Sequence, residues 1–156
     1  GLKRLPAGFD PASVSFTLAD AFGIPGLGNA YSADYAVDGV TQKFFISAQS
    51  DAAAAAKVYA AFESFAKQFG TATDLDPIGE AKRFEAESFG QWKSVYLRGA
   101  EIGGIVDSDH REASGKFVKD YLDGTLKLPP FKAAPGAAPA APKTDAMPAE
   151  PVEGAN

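Results

Sequence analysis

The sequence predicts an α+β fold: a twisted antiparallel sheet of about five strands with two helices packed on one face. Three observations carry this. Tyr31 to Asp38 alternates, Asp38-Gly39 is a two-residue hairpin signal, and Val40 to Ala48 supplies the partner strand. Two stretches switch to helical spacing, and each is followed by a glycine, Gly70 and Gly124. The residues between them read as three further short strands, so the order is ββα then βββα.

The elements follow in chain order. Residues 1–30 form an irregular segment broken by Pro6, Pro11 and Pro25 and by four glycines. One short helix is expected between Ser13 and Ala21, with Phe9, Phe16, Phe22 and Leu27 as anchors onto the core. In the first hairpin Tyr31, Ala33, Tyr35 and Val37 share one side. Val40, Phe44 and Ile46 share one face of the partner strand, and Phe45 lies on the other. Ser50 is the expected cap of a helix to about Phe69, with Gly70 as a left-handed stop. Val58, Phe62, Phe65, Ala66 and Phe69 fall on one stripe of it.

Thr71 to Glu80, with Asp74, Asp76 and Pro77, reads as a loop. Residues 82–89 and 92–98 read as a second hairpin around Gly90, and Glu101 to Asp107 as the last strand. Ser108 or Asp109 starts the second helix, where Asp109 and Glu112 have capping-box spacing and Phe117, Val118, Tyr121 and Leu122 form the apolar stripe. Residues 31–128 are thus the α+β domain. Residues 129–156 hold 7 of the 11 prolines and nine alanines, which predicts an extended Pro/Ala-rich tail.

Composition narrows the function. The chain has 156 residues, a formal net charge of −5, one histidine and no cysteine. That excludes disulfides, thiolate metal sites and a cysteine nucleophile. An acidic chain whose basic spots are the dipeptides Lys3-Arg4 and Lys82-Arg83 is not built to hold a phosphate backbone. No apolar run approaches the ~20 residues of a membrane span. The chain starts at Gly1 and reads as a processed protein whose leader is not present.

Catalytic patterns are weak. His110 follows Asp107-Ser108-Asp109, which reads as an acidic helix start rather than a metal site. Glu85 and Glu87 share a strand face, as paired acid–base carboxylates do, but so does any exposed polar strand. Asp74 and Asp76 are hard oxygen ligands in a turn-like setting. Gly23-Ile-Pro-Gly26-Leu-Gly28 follows no strand, and Ser114-Gly115-Lys116-Phe117 lacks the earlier glycine and the Ser/Thr of a phosphate loop. The expectation is therefore a non-catalytic protein without cofactor or metal.

The remaining signal is aromatic. If Val95 and Leu97 face the helices, Trp92, Tyr96 and Arg98 lie on the opposite face, with Phe45 joining from the first hairpin. Trp, Tyr and Arg are enriched at interface hot spots. Together with Phe131 at the start of the tail, these are the candidate partner-binding residues. The alternative is a second small core beneath residues 1–30.

Leu5-Pro6, Phe22-Gly23-Ile24-Pro25, the hairpin from Tyr31 to Ile46, the Asp51-Ala-Ala-Ala-Ala-Ala helix start and Ile102-Gly103-Gly104-Ile105-Val106 form a set. This set resembles a family of exported bacterial proteins known only as a domain of unknown function, and in particular the C-terminal half of its longer members. The resemblance implies an extracytoplasmic location, in the periplasm or cell envelope, and brings no site residues. The leading expectation is an accessory subunit docking by its tail and an aromatic surface on a larger envelope complex, an electron-transfer assembly being one such complex. A small-molecule binder, with its pocket between the sheet and residues 1–30, is the alternative. A hydrolase using Glu85/Glu87 or Asp109/His110 is the third.

Overall fold

A computed structural model describes residues 4–132. Seven strands form one antiparallel sheet: β1 Ser15–Thr17, β2 Ala30–Val37, β3 Val40–Ala48, β4 Thr71–Ile78, β5 Ala81–Ser88, β6 Gln91–Arg98 and β7 Glu101–Ser108. Their spatial order is β1-β2-β3-β7-β6-β5-β4. Helix α1, Ala52–Phe69, carries the chain from central β3 to the far edge, where β4 begins a meander back to β7. Helix α2, Arg111–Asp123, follows β7.

The α+β class and the two helices stand as expected, but the sheet has seven strands rather than five. One added strand is β1, where a short helix was expected. Phe16 pairs with Tyr31 in register, and their rings lie 4.7 Å apart. The other is β4, expected as a loop. Asp74, Asp76 and Pro77 are tolerated because β4 is an edge strand. Its outer rim needs no partner, and a register shift between Leu75 and Ile78 accommodates the proline.

The helices do not share a face. Ala55, Val58, Tyr59 and Phe62 of α1 pack with Phe45, Phe84, Val95, Leu97 and Ile102. Phe117 and Val118 of α2 pack with Ala33, Tyr35, Phe44, Ile46, Tyr96 and Ile105. Strand residues alternate between the two sets, as the pleat requires, so the sheet lies between the helices with a core on each side. Residues 4–29 serve both cores. Leu5 joins the α2 side, β1 runs along the edge, and Ile24 and Leu27 join the α1 side.

Helix ends also depart from the reading. Asp51, not Ser50, caps α1, its carboxylate accepting from Ala54 N at 2.8 Å. Gly70 is extended rather than left-handed. A Cβ there would lie 1.9 Å from the Glu87 carbonyl oxygen, so close strand approach is what requires glycine. His110 occupies the cap position of α2 without a side-chain cap bond. Gly124 closes α2 in the left-handed conformation, as expected, donating to Asp120 O and Tyr121 O.

No helix among the described residues is long and apolar enough to cross a membrane. Of the expected tail, residues 129–132 carry no helix or strand, and 133–156 lie outside the described residues.

Candidate ligand-binding site

The aromatic residues singled out by sequence do not form one surface. Phe45 is fully buried on the α1 side, 5.1 Å from the Phe22 ring and 6.2 Å from Phe62. Tyr96 does lie on the opposite face from Val95 and Leu97, but α2 covers it, 5.6 Å from Tyr121. With α1 on one side of the sheet and α2 on the other, neither face is left bare for such a surface.

Trp92 and Arg98 are half-buried on the α2 side. Arg111 lies 4.7 Å over the Trp92 ring and makes a two-pronged pair with Glu85 at 2.6 and 3.0 Å. Arg98 lies over Tyr121 at 5.3 Å and reaches Glu101 at 3.8 Å. Glu101 also accepts from the Tyr96 hydroxyl, from Tyr121 at 3.1 Å, and pairs with Arg4 at 3.6 Å. Burial, then the Glu101 carboxylate, pushes the Tyr96 and Tyr121 hydroxyls up. Each of these side chains is satisfied within the fold. Phe131 is 41% exposed at the end of the described chain, away from the others.

The candidate catalytic groups are engaged too. Glu85 is held by Arg111, and Glu87 accepts from Gly90 N at 2.8 Å in the β5–β6 turn. Asp109 accepts from the Gln91 amide. Asp74 meets Glu63 of α1, whose carboxyl is raised by burial first and by Asp74 second. No group of three or more metal-ligating side chains occurs among the described residues.

The feature that stands out is Gln42. It is 1% exposed, and neither its amide nitrogen nor its amide oxygen has a hydrogen-bond partner among the described residues. Leaving such groups unpaired costs about 1–3 kcal/mol each. Gln42 pairs with Tyr35 in the β2–β3 register and lies on the α2 side, where Phe44 and Ile46 are apolar.

Gln42 lines a cavity of about 340 Å³. One wall is the β2–β3 hairpin, through Val37, Asp38 and Val40. The second is α2, through Ala113, Lys116, Phe117 and Asp120. The chain after α2, Thr125 to Lys127 and Pro129, closes the third side. Asp38-Gly39, with φ of 53° and 80°, turns the hairpin tip over it, as the primed turn predicted from sequence does. Lys116 and Asp120 pair across one helical turn at 2.5 Å. Its lining mixes apolar with polar and charged side chains, and 340 Å³ is at the compact end of the range for small-molecule sites.

This is not where the sequence placed a pocket. Residues 1–30 line none of it. Other hollows, of about 490 Å³ at Gly8 and Pro129–Lys132 and about 480 Å³ beside Lys43 and Asp107, involve no unpaired buried polar atom. The signal was nevertheless present. Gln42 is the polar residue in the alternating series Val40, Gln42, Phe44, Ile46, a break in an otherwise apolar face.

The chain matches no protein-family model, no curated protein and no solved structure.

Proposed function

We propose that this domain is a non-catalytic, small-molecule-binding module of an extracytoplasmic protein, with its site between the β2–β3 hairpin and α2. The observation that carries the reading is a cavity of about 340 Å³ whose lining residues include Gln42, a buried side chain with two unpaired amide atoms. A fold keeps such a residue at a stability cost. The extracytoplasmic placement rests on the resemblance of residues 5–126 to an exported family. A fragment screen by protein-observed NMR tests the reading. Compounds that shift the amides of Val40, Gln42 and Phe117 are expected. A screen whose hits all lie elsewhere contradicts it.

A different observation favours docking on a larger envelope complex. Phe89 is 90% exposed at the β5–β6 turn, in the left-handed conformation at φ 52°, and Phe69 is 52% exposed at the same end of the sheet. A bulky residue with positive φ is uncommon in a turn that Asn or Gly would fill more easily. Hydrogen exchange with native envelope extract tests it. Protection of residues 86–92 that Phe89→Asp abolishes is the expected result. Unchanged exchange removes the reading.

A further inference from the structure

Resting on the cavity reading, we infer that the ligand is a zwitterion with an apolar body, the class to which free apolar amino acids belong. The cavity between the β2–β3 hairpin and α2 carries four charged side chains on its lining: Asp38, Lys116, Asp120 and Lys127. Lys116 and Asp120 pair with each other at 2.5 Å, one helical turn apart. Lys116 also lies near enough to Asp38 to feel its charge, but its ammonium donates to Asp120. One carboxylate and one ammonium are left over. The side chains of Asp38 and Lys127 make no ion pair or hydrogen bond among the described residues, and both residues are exposed, within reach of an entering molecule. They stand on different walls, Asp38 at the hairpin tip and Lys127 on the chain that follows α2.

An occupant with a single charge satisfies one of these two groups and brings a like charge toward the other. A neutral occupant that covers them displaces their water and returns weaker contacts. A molecule with an ammonium and a carboxylate pairs with both: its ammonium donates to Asp38, and its carboxylate accepts from Lys127. The rest of the lining suits an apolar side chain. Val37, Val40, Ala113, Leu126 and Pro129 are each at least partly exposed, so a hydrocarbon group can lie against them. A cavity of about 340 Å³ admits one amino acid with a branched or aromatic side chain. None of these contacts involves Gln42, whose amide atoms are sealed off.

The test titrates the 156-residue chain with L-leucine, L-phenylalanine, N-acetyl-L-leucine and L-leucinamide, followed by NMR at the backbone amides of Asp38, Val40 and Lys127. N-acetyl-L-leucine lacks the ammonium, and L-leucinamide lacks the carboxylate. The expected result is that an amino acid shifts these signals and binds at least about tenfold more tightly than either blocked analogue. Asp38 has φ of 53°, which asparagine tolerates, so Asp38→Asn keeps the turn. In that variant the preference over N-acetyl-L-leucine falls to about one and the preference over L-leucinamide remains. Lys127→Gln does the reverse. Preferences that neither variant changes overturn the pairing with Asp38 and Lys127. Blocked analogues that bind as tightly as the amino acids overturn the zwitterion and leave the cavity reading standing. If no probe shifts any cavity signal at millimolar concentration, the zwitterion is overturned, and the fragment screen decides whether the cavity reading falls with it.

Discussion

Phe44 and Phe45 are neighbours in β3 and belong to different cores: Phe44 lies 5.1 Å from Phe117 of α2, and Phe45 lies 6.2 Å from Phe62 of α1. Both are fully buried. The sheet therefore separates two hydrophobic layers, and its central strand feeds both.

Truncating either ring is expected to cost about 3–5 kcal/mol, as for any buried phenylalanine whose cavity relaxes poorly. The more specific expectation concerns pairs. Phe44→Ala and Phe117→Ala couple by about 0.5–1.5 kcal/mol, because the rings touch. Phe44→Ala and Phe62→Ala add to within about 0.5 kcal/mol, because the sheet lies between them. Urea denaturation of the two double-mutant cycles measures this.

Gly104→Ala is expected to cost about 3 kcal/mol or more, from positive-φ strain combined with overpacking. Gly104 has φ of 146°, and a Cβ there would lie 2.0 Å from the Ser94 carbonyl oxygen in the neighbouring strand. Gly115→Ala, on the open side of α2 with nothing near its Cβ, is the control and is expected to stabilise slightly. Thermal unfolding of the two variants separates the effects.

Alkaline pH is expected to unfold the protein cooperatively. Burial, as the largest cause, raises the hydroxyls of Tyr35, Tyr59, Tyr96 and Tyr121 above their ordinary value of 10. For a group whose folded pKa is raised, the contribution to stability is full below the unfolded value and falls as pH climbs above it. Stability is therefore lost above pH 10, and ionisation of these tyrosines, followed at 295 nm, coincides with loss of circular dichroism. Stepwise ionisation of a still-folded protein is the contrary outcome.

Glu63→Gln is expected to stabilise the protein at neutral pH. Burial and Asp74 hold the Glu63 carboxyl above its ordinary value of 4.5, despite Lys67 at 3.7 Å. The folded state thus keeps this proton to higher pH than the unfolded chain does. Stability attached to Glu63 is present below the unfolded value and lost as pH rises through the raised one. The gain from glutamine appears at pH 7 and disappears toward pH 4, which parallel denaturation curves at the two pH values check.

Local signals were legible and three-dimensional placement was not. The Asp38-Gly39 turn, the alternation of Tyr31 to Val37 and the stripes of α1 and α2 follow from residue periodicity alone, and each is present, except that Phe69 at the end of the α1 stripe is exposed. The side on which a helix packs is not written in its own stripe. It is set by which parity of the strand residues faces it, and both parities of β3 and β6 are apolar. That double apolarity, Phe44 beside Phe45 and Tyr96 between Val95 and Leu97, is the sequence mark of a sheet covered twice. The β4 edge was hidden because Asp74, Asp76 and Pro77 give turn chemistry, which an exposed edge tolerates. The cavity was hidden for a similar reason. It is assembled from a hairpin tip, a helix and the chain after that helix, and only the misplaced polarity of Gln42 pointed to it.

The most direct test of the account is Gln42→Met, measured for stability beside the parent in the same buffer. Removing two unpaired buried polar atoms while keeping the side-chain volume is expected to raise stability by about 2 kcal/mol or more, visible as an increase in Tm. A variant that is less stable than the parent would contradict the claim that Gln42 is buried unpaired at a cost to the fold.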